Sequence, residues 1–240
     1  MLVPLREGTS MPDTRPGFGQ PARTTQSWVA DELRDRIIVG TIPVGARLRQ
    51  VDVATEFSVS TTPVREAFRT LATEGLVQID EHRGVVVRRL TLEECIELQE
   101  LIIVVESDNL LHSIPRIDKP ALDEADAICR RMLRGGKQYP LLNRELHLTL
   151  ARPSGRQRAV QLLADMLTLS ALHVREDSRR IAGRRDQSHH EHQALVAAAR
   201  AGDAAGAAEI LRQHCQPTLA LLRRDLDAAA ATPVGAAAAL

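Results

Sequence analysis

The sequence predicts a mainly α protein built from two domains: an N-terminal winged helix-turn-helix and a C-terminal all-α helical bundle. Three observations predict it. Residues 24–90 carry short helical patterns followed by two β-like runs, and residues 91–228 keep a helical period almost throughout. The 240 residues, 44% hydrophobic and 26% charged, have the length for two modest domains and the composition of a globular chain.

The elements follow in order. Val29, Leu33 and Ile37 recur every four residues and predict a helix from about Thr25 to Val39, closed by Gly40. Val53, Ala54 and Phe57 give a short second helix, and Ser58-Val59-Ser60 breaks the pattern. Val64, Ala67, Phe68 and Leu71 share one face of a third helix. Pro63 falls in its first turn, where a missing N–H costs nothing, and Gly75 ends it. Leu76-Val77-Gln78-Ile79 and Val85-Val86-Val87 read as strands joined by residues 80–84 into a hairpin. The bundle starts at Thr91-Leu92-Glu93-Glu94, a capping-box pattern, and its first helix runs to about Ser113. Further helices are expected at about 119–134, 139–151, 157–180, 188–201 and 203–227. Gly202 is a C-terminal stop and Asp203 an N-cap, so the last two helices form an antiparallel hairpin. Outside these domains, residues 1–23 are a Pro/Gly-rich tail expected to be disordered, and residues 229–240 an Ala-rich tail expected to fray.

Several function classes fall away. No apolar run approaches the ~18 residues of a membrane span, and the first twenty residues lack the apolar segment of a secretory signal, so a cytoplasmic location is expected. Cys95, Cys129 and Cys215 form no CxxC pair and are expected as buried reduced thiols. The 31 basic residues balance 31 acidic ones, which excludes a general coat of positive charge but not a local arginine face. Five aromatic residues are too few for stacking single-stranded bases.

Two groups of residues carry chemistry. The first is the start of the third helix. Ser60, Thr61 and Thr62 supply hydroxyls and free N–H groups for phosphates. Arg65 and Arg69, four apart, share a face of a helix narrow enough for the DNA major groove. The wing tip, His82-Arg83-Gly84, reaches the adjacent groove or backbone. The competing reading pairs Arg65 with Glu66 or Asp52 on a solvated surface.

The second group is histidine. His192 lies ten residues before Gly202 and His214 twelve after it. At ~1.5 Å per residue both sit roughly 15–18 Å from the turn, at one height on facing helices. Each shares a stripe with apolar residues. On another helix, Asn143 and His147 are four apart and share a face with Leu146 and Leu150. Three inward imidazoles and an amide oxygen make a candidate divalent-metal site, and imidazole donors suit zinc or nickel. His173 is a weaker pocket candidate, with Met166 and Ser170 on its face. His189 and His190 are expected in solvent, and His112 carries no metal argument. A metal-dependent hydrolase is the contrasting reading, with Glu145 or Glu191 as base. No HExxH exists, and Glu191 points about 100° away from the His192 face. No enzymatic activity is therefore expected.

Residues 25–90 resemble the DNA-binding domain of GntR-type transcription regulators. The resemblance lies in Ile42-Pro43-Val44-Gly45-Ala46-Arg47-Leu48, Val59-Ser60-Thr61-Thr62-Pro63-Val64-Arg65-Glu66-Ala67 and Leu71-Ala72-Thr73-Glu74-Gly75-Leu76-Val77. Where that family usually has Arg, Arg and a turn Gly, this chain has Thr61, Val51 and Ser58, and Arg47 or Arg49 stands near to compensate. Residues 91–228 resemble the FadR-like ligand-binding domain called FCD. There an Asp, a His four residues later and two His on the last helices bind a divalent metal, and Asn143, His147, His192 and His214 fall on those positions. Ile102 stands where an Arg is common. The resemblance implies a homodimer on a pseudo-palindromic double-stranded operator, often a repressor, released by a small organic acid whose carboxylate completes the metal's coordination. A purely structural metal with an apolar or acyl-type effector is the alternative.

Overall fold

The computed structural model describes residues 24–80, 84–176 and 185–231, with side chains except at 80, 173–176 and 185–186. Two compact units divide the chain, Met1–Arg89 and Leu90–Leu240.

In the first unit, α1 (Thr25–Val39) opens on Thr24, whose hydroxyl accepts from the Ser27 N–H, and closes on Gly40 at φ 80. Strand β1 (Arg47–Leu48), α2 (Gln50–Glu56), α3 (Thr61–Thr73), β2 (Val77–Asp80) and β3 (Gly84–Val87) follow. The three strands form an antiparallel sheet in the order β1-β3-β2, with Arg47 opposite Val86 and Gln78 opposite Val86 from the other side. Strand β1 is absent from the sequence reading. Two residues are too short for a period, and Leu48 is held by tertiary packing at 2% exposure. Val29, Leu33 and Ile37 of α1 meet Val64, Phe68 and Leu71 of α3 in the core, as their spacing predicts. Arg36, itself buried, is satisfied by Glu32 and Glu56 and lies over the Phe57 ring. Ser58, in the turn between α2 and α3, holds a left-handed φ of 54, where glycine is at ease and a Cβ is strained. The residues 81–83 lie outside the described residues.

The second unit begins with α4 (Leu92–Ser113), whose Thr91 and Glu94 form both bonds of a capping box. Then come α5 (Lys119–Leu133), α6 (Tyr139–Ala151), α7 (Gln157–Glu176), α8 (Arg185–Arg200) and α9 (Ala204–Ala231), with 3-10 turns after α4 and α6. Gly202 at φ 72 and Asp203, whose Oδ1 accepts from the Gly206 N–H at 2.8 Å, make the α8–α9 turn as read from sequence. Helix α9 packs along α4 and against α8, while α5 packs on α6 and α8. Leu110, Ile128, Leu146, Leu195 and Leu211 fill one core, and Ile102, Leu148, Leu163 and Met166 a second. Two boundaries differ from expectation. α8 starts at Arg185, and α9 continues to Ala231, into the segment expected to fray, because alanine is the strongest helix former. The tails 1–23 and 232–240 and the stretch 177–184 lie outside the described residues. All three cysteines are buried, and none of them is in a disulfide. No described helix is long and apolar enough to cross a membrane.

Candidate metal centre and nucleic-acid interface

The α3 start is built from its cap. Ser60, Thr61 and Thr62 are exposed, and Ser60 makes no side-chain cap bond. Gln50 Nε2 donates to the Thr61 carbonyl at 2.6 Å, which ties the start of α2 to the start of α3. Arg65 and Arg69 are more than half exposed and flank Glu66 at 3.4 and 3.5 Å. Of the two carboxylates considered for Arg65, Glu66 is the neighbour, while Asp52 faces Arg49 at 4.0 Å. Exposed pairs at these distances are worth little, so they leave both arginines available to phosphates. Arg47 and Arg49 are exposed, as is Gly84 at the start of β3. Val51, at 62% exposure, sits in the first turn of α2. His82 and Arg83 lie outside the described residues.

In the bundle, α6, α8 and α9 bring His147, His192 and His214 together. One nitrogen from each lies within 4.8 Å of the others. Ring centroids are 4.5 Å apart for His192–His214, 5.5 Å for His147–His192 and 5.8 Å for His147–His214. The matched heights read from the Gly202 turn are realised. His147 Nδ1 meets Glu106 Oε1 at 2.6 Å, and His214 Nδ1 meets Glu191 Oε2 at 2.7 Å. A carboxylate on Nδ1 fixes the tautomer and turns the Nε2 lone pair toward a cation. His192 is fully buried, and neither of its nitrogens has a hydrogen-bond partner among the described residues.

Electrostatics point the same way. Burial, then the neighbouring His214, His147 and His189, push His192 well below its ordinary value. Burial lowers His214 too, against the opposing pull of Glu191. Burial also acts to lower His147, but the Glu106 charge and hydrogen bond outweigh it and hold that group above its ordinary value. Neutral imidazole is the form that ligates a metal, and the lowering of His192 and His214 favours it. An orphaned buried imidazole, two carboxylate-oriented partners and three nitrogen donors fit a divalent ion of the zinc or nickel type.

Other predicted residues fall variously. Asn143, one turn before His147, is half-buried and lines the same cavity of about 100 Å³ as His147 and His214. Ile102, Glu106 and Ser170 line it as well. His173 lies on α7, but its side chain is outside the described residues. His190 is exposed as expected, whereas His189 is only half exposed and lines a hollow with Met132 and Tyr139. Glu145 is taken by Arg152 on the surface at 2.7 Å. The ~100° offset of Glu191 from His192 proves useful rather than idle: it aims the carboxylate across the hairpin at His214. Glu106 is missing from the sequence reading. Its one signal is an acid directly after Ile102-Ile103-Val104-Val105, within an apolar stretch of α4.

Comparison with known proteins identifies the family of each unit. Residues 25–87 match the family described as bacterial regulatory proteins, gntR family, and residues 97–217 match the FCD domain. The chain is 40% identical over 79 residues to a probable D-xylose utilization operon transcriptional repressor of Paenarthrobacter nicotinovorans, a match covering 31% of this chain and 35% of that protein. The chain thus spans about a third of the length of the curated relatives it matches first. Among solved structures, a GntR-type regulator from Rhodococcus sp. RHA1 is 28% identical with a TM-score of 0.71, covering 82% of this chain and 97% of that one. The E. coli protein McbR/YncC, at 18% identity, shares the fold with a TM-score of 0.76 over 85% of this chain and 99% of its own.

Proposed function

The chain belongs to the gntR family of bacterial regulatory proteins, with that family's FCD domain, and from this premise we propose that it is a metal-assisted, effector-controlled repressor of transcription. The family is one of transcription regulators, not enzymes. As a homodimer, the protein places α3 of each copy in the major groove of one half of a pseudo-palindromic operator. Ser60, Thr61, Thr62, Arg65 and Arg69 meet DNA from α3, Arg47 and Arg49 from around β1, and His82, Arg83 and Gly84 from the wing. His147, His192 and His214 hold a divalent ion, zinc or nickel, with Asn143 beside it. The ion supplies a Lewis-acidic coordination position for the carboxylate of a small organic acid. Glu106 and Glu191 hold two of the imidazoles in the ligating tautomer. Effector binding shifts the balance between two dimer states that differ in operator affinity. The names of relatives such as the gluconate operon repressor of Bacillus licheniformis support the sign of regulation.

The observation that carries the reading is the three-histidine cluster, two rings buried and the third partly so, with a carboxylate on two Nδ1 atoms and His192 left without a hydrogen-bond partner among the described residues. A purely structural metal with a long acyl effector is disfavoured by size, since a cavity of about 100 Å³ takes only a short ligand. Elemental analysis and gel shifts on duplexes selected from a random pool test the proposal. Bound zinc or nickel, with duplex release by a carboxylic acid only in metal-loaded protein, is expected. Absence of metal, or release unchanged by chelator, overturns it.

A further inference from the structure

We propose that Val51 is a base-reading residue, and that it packs on the C5-methyl group of a thymine in each half of the operator. This rests on the preceding reading that α3 enters the major groove, and it adds a contact which that reading does not contain. Val51 and Ile79 are the large apolar side chains left exposed among the described residues of the first unit, at 62% and 58%. Ile79 belongs to a strand, opposite Val85 of β3, where a β-branched side chain is favoured. Val51 has no such reason. It sits on a seven-residue helix whose buried residues are Val53 and Ala54, and valine on an exposed helical face is a poorer helix former than alanine, lysine or glutamate. Neither packing nor propensity accounts for it.

Its position does. Gln50, the residue before it, donates from Nε2 to the Thr61 carbonyl at 2.6 Å, which holds this part of α2 close to the first residue of α3. The polar groups around Val51 are already directed elsewhere. The Gln50 amide is turned to Thr61, and Thr55, exposed one turn along α2, donates its hydroxyl to the Val51 carbonyl at 2.9 Å. Arg49 faces Asp52 at 4.0 Å. Beside the exposed arginines of α3, α2 therefore presents methyl groups at Val51. A phosphate, or a base edge that gives or receives hydrogen bonds, gains nothing from an aliphatic side chain and loses water against it. Among the four bases, the apolar group displayed in the major groove is the methyl of thymine. The chemistry of Val51 selects that base by removing methyl surface from water on both sides of the contact, without a hydrogen bond.

The test uses the full chain and a duplex selected from a random pool, with affinities read by fluorescence anisotropy at one salt concentration. Each thymidine of the site is replaced in turn by deoxyuridine, which removes the methyl group and keeps the base pair. At one thymine per half-site the wild type is expected to lose about fourfold in affinity, the worth of one buried methyl, and roughly fifteenfold when both half-sites are changed. Val51→Ala is expected to bind the unmodified duplex more weakly by a similar factor, and to bind the uracil duplex within about twofold of the unmodified one, the sign that the two deletions remove one contact. Its salt slope is expected to match that of the wild type, since valine carries no charge. Alanine is the better helix former, so the variant keeps its fold, which circular dichroism checks. A selected site without thymine, uracil tolerated at every position, or a uracil penalty that Val51→Ala retains in full at every position overturns the inference. A chain that binds no duplex overturns the earlier reading along with this one, whereas failure of the Val51 contact alone leaves wild-type binding intact.

Discussion

At the scale of single residues, Arg65 stands on the leading turns of α3, more than half exposed, with only the weak Glu66 contact at 3.4 Å to release. Arg65→Ala is expected to weaken binding to selected duplexes and to lower the salt slope by about one counterion, while circular dichroism stays unchanged. A salt titration of the gel shift checks it. Ser58 tests a different force. Its left-handed φ of 54 is strained, so Ser58→Gly is expected to raise stability by about 1 kcal/mol in urea unfolding. Asn143 lies where a charged ligand would be stronger. Asn143→Asp adds a negative charge facing the cation and is expected to tighten zinc binding several-fold in a chelator competition while weakening anionic acids.

Among the elements, the α8–α9 hairpin shows what the sequence could and could not tell. Gly202, Asp203 and the 3.6-residue period set the heights of His192 and His214, and those are local properties, legible in one chain. Glu106 comes from α4, 41 residues before its partner His147, and only tertiary packing joins them. Strand β1 escaped for the same reason, since its two residues exist as a strand only against β3. Glu191 is legible as an acid about 100° from the His192 face, but its partner His214 is not, because a side chain off one face of α8 meets another helix. The buried hairpin also sets a pH dependence. Without metal, the folded chain refuses protons at His192 and His214 that the unfolded chain accepts below about pH 6.5. The unfolded state then binds more protons, so stability falls as pH drops through that value. His147 opposes this: its raised value adds stability at low pH that is lost as pH rises through the folded value. His192 is held well below its ordinary value, so the loss at low pH dominates. The melting temperature in chelator is expected to fall from pH 7.5 to 5.5, less steeply in His192→Ala and more steeply in Glu106→Gln, by scanning fluorimetry.

For the whole molecule, the two compact units carry separate chemistry and separate reporters. Trp28 is the one tryptophan, and it packs on Phe57 in the first unit at 5.3 Å between ring centroids. All three histidines of the cluster belong to the second unit and join α6, α8 and α9, whose Leu146, Leu195 and Leu211 also share one core. A cation there binds the folded bundle and not the unfolded chain, so it stabilises by RT ln(1 + [L]/Kd), ~2.7 kcal/mol at a hundredfold excess over Kd. For a unit of this size that is a shift of roughly 5–10 °C. Chelation is therefore expected to lower the helical transition followed by circular dichroism by about that much, and to leave the Trp28 fluorescence transition in place. His192→Ala or His214→Ala is expected to remove the difference between metal-loaded and chelated protein. If both probes move together on chelation, the units unfold as one, and the metal's stabilising energy reaches the DNA-facing helices directly.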